Sequence, residues 1–456
     1  MSSSWKLGDL SDPGVLEHMG ATASDRRTPL IMQAAAALRS RLPASSKTHL
    51  IWVPGRIEIA GKHTDYAGGR SLIAPTEQGI ALVAVPRRDR RISVEDARLR
   101  TSFGFSLDEE PTIPRESWQA YFVTVARRLD RNFPSLSRGA DISFVSDLPA
   151  AAGLSSSSAL VVGTFLALAN LNALPDRTDY RQAIPDLSAL AGYLGAIENG
   201  YSYGALEGTQ GVGTFGGSED HTAILCGQAG RVVQYRYSPV RFEGSIRLPT
   251  DLILAVASSG LRAEKTGSAR ADYNRLSLQT QEIAALWRAA TDSNLSDLGS
   301  ILDSEREAVR KFVSLVKNIE DPAFPVDQLH DRFVHFEQEN EVIVPGAAAA
   351  LEAGDMGQFG DWIDRSMQLA ETLLGNQVPE TSFLASEARQ LGAVAASAFG
   401  AGFGGAVWAL VPRTEAEELK CYLKKSYLQA FPQHAEAATF FLTEAGPPAM
   451  EISPKS

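Results

Sequence analysis

Three stretches of this chain crowd small residues and polar functions together in a way that suits phosphate and hydroxyl chemistry. The first is LPAAAGLSSSSAL, Leu148 to Leu160. Small side chains let the backbone approach a ligand. The first turn of the apolar helix that follows presents amide N–H groups without partners, backed by the positive end of the helix dipole. Gly153, Leu154, Ser155, Ser156, Ser157 and Ser158 are therefore candidates for cradling phosphate, and the hydroxyls could take phosphate oxygens or a magnesium ion. Serines before a helix also serve as plain N-caps, so this loop alone leaves both readings open.

The second stretch is VPGRIEIAGKHTDYAGG, Val53 to Gly69, which packs Arg56, Lys62, His63 and Asp65 beside glycines. Such density suits a hydroxyl-rich ligand, where each donor or acceptor has to be matched. An ordinary charged strand-to-loop connection has the same look. The third, SAFGAGFGGAVWALV (Ser397 to Val411), is a glycine turn entering an apolar strand. Its glycines precede a strand rather than follow one, which counts against a dinucleotide fold, and tight packing is the simpler reading. Two phosphate chemistries are excluded. A P-loop over this region would need glycine at Arg56 and Ser or Thr at His63. No HRD loop followed by DFG is present.

The elements that must hold these stretches read as mixed α and β. Residues 1–47 form a leader with a helix near Thr28 to Arg41. A domain over 48–248 should contain the strand Ile80 to Val85, a helix from Trp118 to Leu129, a strand from Ala140 to Val145, and helices Ala159 to Leu171 and Leu187 to Asn199. TAILCG and RVVQYRY read as paired strands closing that half. A second domain, 249–445, opens on the strand Leu252 to Ser259. Helices follow over Ala271–Ala290, Leu298–Val316, Arg332–Val344 and Phe383–Leu391, and the domain closes with a helix from Thr414. Residues 446–456 read as a frayed tail. Strands and helices do not strictly alternate, so an α+β fold in two domains is expected.

Composition bounds the partners. The 456 residues carry a formal net charge of −11 and are 44% hydrophobic, with no long basic run. A nucleic-acid or anionic-membrane partner is disfavoured, and a small anionic ligand held by local dipoles is not. Leu148 to Pro175 is uncharged, but its glycines, serines and asparagines read as a loop and a buried helix rather than a membrane span. Cys226 and Cys421 have no metal-site spacing and suit two free thiols in a reducing, cytoplasmic compartment.

In this order and spacing, the three stretches resemble the motifs of the galactokinase, homoserine, mevalonate and phosphomevalonate (GHMP) kinase superfamily. The second is similar to the galactokinase signature of GR, an aliphatic run, G, HTDY and GG. Trp118 to Val123 resembles that branch's WxNYV segment, ADYNRL (Ala271 to Leu276) its YNxR motif, and RFVHFEQENEVI its RAxHVxxExxRV helix. The resemblance spans about residues 50–411. It implies an N-terminal domain of the ribosomal-protein-S5 type and a ferredoxin-like C-terminal domain, with sugar and nucleotide meeting between them.

It also implies an ATP-dependent sugar 1-kinase that uses Mg2+, acts on galactose or a galactose-like sugar, and is a monomer or weak homo-oligomer. By position, Arg56 and Asp220 correspond to catalytic residues. Ser157, then Ser156, and Glu198 correspond to magnesium ligands. Lys62, His63, Asp65, Gly217 and Tyr273 correspond to sugar contacts, and Trp118 to an aromatic near adenine or a core anchor.

One departure bears on specificity. Lys62 stands where galactokinases carry a glutamate that contacts the sugar's C6 hydroxyl, so a galacturonate kinase is an alternative. Lys62 could instead turn away or pair with Glu58, leaving C6 unread. A non-catalytic sugar and ATP sensor is a second alternative, set against the complete serine run and the presence of Arg56 and Asp220.

Overall fold

The structure is a computed structural model that describes residues 4–13, 26–109, 117–134, 136–149, 153–261, 267–316 and 322–454. Its first half is built on two long strands rich in Ile, Val and Leu. Trp5–Lys6 (β1), Lys47–Ala60 (β2), Arg70–Pro86 (β3), Arg91–Asp96 (β4), Thr101–Ser106 (β5), Ala140–Ser146 (β6), Arg231–Arg236 (β7) and Arg241–Arg247 (β8) join Met450–Glu451 in a nine-stranded sheet among the described residues. β2 and β3 pair antiparallel through its middle and are buried almost end to end, because both faces are covered.

Helix α1 (Arg27–Arg39) packs Ile31, Ala34, Ala35 and Leu38 on Leu50, Trp52, Ala81 and Val83. The leader thus completes one face of this sheet. On the other face lie α2 (Gln119–Asn132) and α3 (Ser156–Leu171), in the core that contains Val53, Ile57 and Leu82. Each such buried aliphatic side chain contributes about 1.5–3 kcal/mol. The approach of α3 depends on Gly163, where an added Cβ would stand 3.2 Å from both Leu82 and Val53.

The chain leaves this sheet after Arg247 and enters a second one at β9 (Leu252–Ser258). With β10 (Ala395–Phe399), β11 (Ala406–Pro412) and β12 (Thr439–Thr443) it forms four antiparallel strands in the order β10-β11-β9-β12. The result is a two-domain α+β molecule. The expected frayed tail is corrected: Gly446 N–H donates to Pro75, Met450 pairs with Trp52, and Ile452 N–H donates to Leu50. Strand pairing outweighs the entropy that frays an unattached terminus.

Other differences have local causes. Helix α4 (Leu187–Asn199) has its expected bounds, capped by Asp186 and ended by Gly200 at φ 85°. TAILCG is no strand but most of helix α5, Glu219–Cys226. A short apolar run carries no period to separate the two, and Glu219 and Asp220 in the first turn complement the helix dipole.

The second half holds α6 (Gly267–Thr291). A single helix expected over 298–316 is instead α7 (Leu298–Ser304) and α8 (Ala308–Val316), broken where Glu305 turns extended. α9 (Val326–Glu337) passes through a π turn, Gln338–Ile343, into α10 (Val344–Ala353). The wider turn accommodates Pro345, which cannot donate back along an α-helix. α11 (Met356–Leu369), not foreseen in the sequence, and α12 (Pro379–Gln390) follow.

Candidate active site

β2 does not pair evenly with β3. Its register shifts between Pro54 and Arg56 and again between Glu58 and Ala60. Such bulges re-aim side chains. Arg56 and Glu58, two apart on the strand, both line a cavity shared with His63, Asp65, Ser158 and Asp220.

Arg56 is buried and lies against the Asp220 carboxylate, with Nε 2.7 Å and Nη2 2.6 Å from Oδ1. Its Nη1 donates to the Gly153 carbonyl at 2.5 Å. Burial alone would weaken the guanidinium's hold on its proton, but Asp220, then Glu219 and Glu58, outweigh that and hold it above its ordinary value. Thus β2, the serine loop and α5 meet at one guanidinium.

The loop before α3 is shaped by two left-handed residues, Gly153 at φ 74° and Ser155 at φ 57°. Leu154 is buried and its carbonyl accepts the Arg56 N–H. The Ser155 hydroxyl is buried and has no hydrogen-bond partner among the described residues. That is an unmet donor where the first turn of α3 already presents amide N–H groups. The glycine turn at Gly400–Gly405 closes over it: Gly400 approaches Gly153 and Arg56, leaving no room for a larger residue to reorient freely. Ala150 to Ala152 of the serine loop lie outside the described residues.

One turn into α3, the Ser158 hydroxyl reaches Glu198 Oε2 at 2.8 Å and Asp220 Oδ2 at 3.2 Å. Glu198 Oε2 also lies 3.0 Å from His221 Nε2. Ser158, rather than Ser157 or Ser156, is therefore the serine that meets the carboxylates, while Ser156 and Ser157 sit half-buried at the helix start.

The loop after β2 is clamped from the other domain. Glu339 Oε1 accepts the Gly61 N–H at 2.8 Å and the Lys62 N–H at 3.3 Å. Arg332, seven residues earlier and two turns along, donates to the His63 carbonyl at 2.5 Å. His63 lines the cavity with both ring nitrogens engaged, Nδ1 with the Tyr66 hydroxyl at 2.7 Å and Nε2 with the Ala401 carbonyl at 3.1 Å. Burial, then the Arg332 charge, pushes this imidazole down to about 3, so it is neutral with its proton on Nε2.

Asp65 accepts the Glu219 N–H at 3.1 Å and presses on Gly217, where a Cβ would stand 2.4 Å from its oxygen. The Tyr273 hydroxyl sits against Gly216, with its ring 5.5 Å from that of His63. Asn199 ties this wall together by donating to the Gly195 and Gly216 carbonyls, both at 2.8 Å.

Lys62 and Trp118 lie outside the lining of this cavity. Lys62 is buried. Its Nζ donates to Ser366 on α11 at 3.0 Å, and Ser366 donates on to Glu339 at 2.8 Å. Trp118 is half-buried, held edge-on by Phe103, Phe122 and Phe144, and anchors the N-terminal core.

Sequence reasoning named Glu58 only as a possible partner for Lys62 and did not single out Glu219, Asn199, Arg332 or Glu339. All five lie inside or beside the quoted motifs. Glu58 stood out as a charge within the aliphatic run after Arg56, and that was the available signal.

Residues 41–86 match the galactokinase galactose-binding signature, 120–204 the GHMP kinases N terminal domain, and 347–429 the GHMP kinases C terminal domain. A solved structure of Lactococcus lactis galactokinase complexed with galactose superposes with a TM-score of 0.72 at 23% identity, over 89% of this chain and 95% of that one. The fold is that of a GHMP kinase. A galactokinase from Roseiflexus sp. is 30% identical over 387 residues, 84% of this chain and 88% of the relative. One from Chloroflexus aggregans is 27% identical over 83% of this chain and 88% of its own length. The chain belongs to the galactokinase-like branch of the GHMP kinases, and this branch consists of sugar kinases.

Proposed function

We propose that the protein transfers the γ-phosphoryl group of ATP to the anomeric hydroxyl of galactose or a galactose-like sugar. The observation that carries this is the convergence of Arg56, Asp220, Ser158 and Glu198 in one cavity with His63, Asp65, Tyr273 and the Gly216–Gly217 backbone. Phosphoryl transfer depends mainly on in-line positioning and charge stabilisation. Asp220 orients the sugar hydroxyl and receives its proton, while Arg56 offsets charge on the carboxylate and the transferring group. The open amides of α3, Gly153 and the unpartnered Ser155 hydroxyl suit the phosphates of ATP.

Mg2+ fits the oxygen donors beside them. Among the described residues no cluster of three His, Cys, Asp or Glu forms a ready cage. That suits an ion held by one or two protein groups plus phosphate, and Ser158 and Glu198 are the residues that would hold it. The ion would neutralise charge on the phosphates.

The inward path of Lys62 favours a sugar without a C6 carboxylate over galacturonate, since its ammonium already has Ser366 and the neighbouring Glu58 charge. The intact Arg56–Asp220 contact favours an enzyme over a sensor. Two unbridged cysteines suit a reducing cytoplasm, and no described helix is long and apolar enough to cross a membrane. The direct test is ADP release from the purified chain with ATP, Mg2+ and a panel of hexoses and uronic acids. Sugar-dependent release on a galactose-like hexose is expected. Release that no sugar stimulates would overturn the reading.

A further inference from the structure

His221 has no part in the reaction just described. It follows Asp220 in the first turn of α5, and both residues line the cavity. Its side chain is 2% exposed, and neither Nδ1 nor Nε2 makes a hydrogen bond to any described residue. Glu198 Oε2 stands 3.0 Å from Nε2, but the two are not aligned as donor and acceptor. A buried polar group in that state is costly unless a partner of another kind meets it.

The groups around it have the spacing of a ligand set. Glu198 Oε2 is the shared corner, 2.8 Å from the Ser158 hydroxyl and 3.0 Å from His221 Nε2. Neighbouring ligands on an octahedral ion with bonds of about 2.1 Å stand about 3 Å apart. Ser158 and Glu198 are the two residues proposed above to hold the metal. A neutral imidazole has one nitrogen with a lone pair, the form in which histidine ligates metals. One hydroxyl, one carboxylate and one imidazole leave the remaining positions to phosphate oxygens and water.

We infer that His221 is a third protein ligand of the metal that accompanies the nucleotide, so that the site prefers a divalent transition ion such as Mn2+ or Co2+ over Mg2+. This rests on the sugar-kinase reading and specifies its metal. Mg2+ is a hard ion that takes oxygen donors and gains little from an imidazole nitrogen. Transition ions accept nitrogen and oxygen together, and their affinity for such a mixed set rises from Mn2+ to Co2+. The helix makes the set possible: α5 brings His221 to the metal donors through the same turn that brings Asp220 to Arg56.

The experiment uses the full chain bound to the β,γ-methylene analogue of ATP, unaltered and as His221→Gln. Electron spin-echo spectroscopy of bound Mn2+ detects the nitrogen-14 of a coordinated imidazole, and competition calorimetry gives the ratio of Co2+ to Mg2+ affinity. Imidazole modulation is expected in the unaltered complex and should vanish in His221→Gln, while the affinity ratio should fall by about tenfold or more. The inference is overturned if Mn2+ fails to bind or shows no imidazole nitrogen in the unaltered complex. It is equally overturned if the variant keeps the modulation or the ratio. Should the variant not fold, the spectrum of the unaltered complex decides alone. Sugar-dependent ADP release with Mg2+ tests the sugar-kinase reading separately, and that reading stands if only the imidazole is missing. Failure of the unaltered chain to bind the ATP analogue would remove that reading and this inference with it.

Discussion

Lys62→Glu should lower the stability of the first domain by about 3–5 kcal/mol, the usual loss when one member of a buried charged group is removed. The magnitude follows from the surroundings. Lys62 is 1% exposed, its Nζ has Ser366 as hydrogen-bond partner, and its charge lowers the cost of ionising Glu58. A glutamate there would set a third carboxylate between Glu58 and Glu339 and leave Ser366 facing an acceptor instead of a donor. Lys62→Met separates the terms: it loses one hydrogen bond, worth about 1 kcal/mol, and leaves Glu58 without its nearest compensating cation. Pairing Lys62→Met with Glu58→Gln should recover most of the loss, because the charge that needed Lys62 is gone. Guanidinium unfolding followed by tryptophan fluorescence reads this directly, since Trp52 is fully buried on the same strand system. A Lys62→Glu protein within about 1 kcal/mol of the unaltered chain would mean that Lys62 is solvated and outside the buried network. Strict additivity of the two single changes would deny the coupling to Glu58.

Asp220→Asn should cost about two to four orders of magnitude in turnover while ATP still binds, and more than about a tenth of the original rate would remove Asp220 from catalysis. Gly153→Val should weaken ATP binding by about tenfold or more in calorimetry. Its φ of 74° is strained for a β-branched residue, and its carbonyl holds Arg56. Unchanged affinity would place the phosphates elsewhere. Stability should fall as pH rises between about 4.5 and about 7, because folded Glu58 holds a proton that the unfolded chain has released. Glu58→Gln should flatten that slope, and an identical slope in the variant would show that Glu58 does not titrate there.

Much of the site could be read from the sequence because it lies in short segments whose chemistry is local. Gly153 and the serine run announce a helix start open to anions, and the crowding of Arg56, His63 and Asp65 announces a polar ligand. What local pattern left undecided was direction. Lys62 and His63 are adjacent, yet one turns behind the cavity to Ser366 and the other into it, because Glu339 and Arg332 grip the loop's backbone from the opposite domain. The same limit applies to TAILCG, where three buried apolar residues, Ala223, Ile224 and Leu225, fit strand and helix equally until Glu219 and Asp220 begin α5 against α4. The closing segment was read as free because its partners, Pro75, Trp52 and Leu50, lie nearly four hundred residues away. The sequence by itself determined which groups were available for chemistry, since that depends on residue type and near neighbours. Only the tertiary structure decided which of them share a cavity, because packing across two domains sets where each buried charge finds its partner.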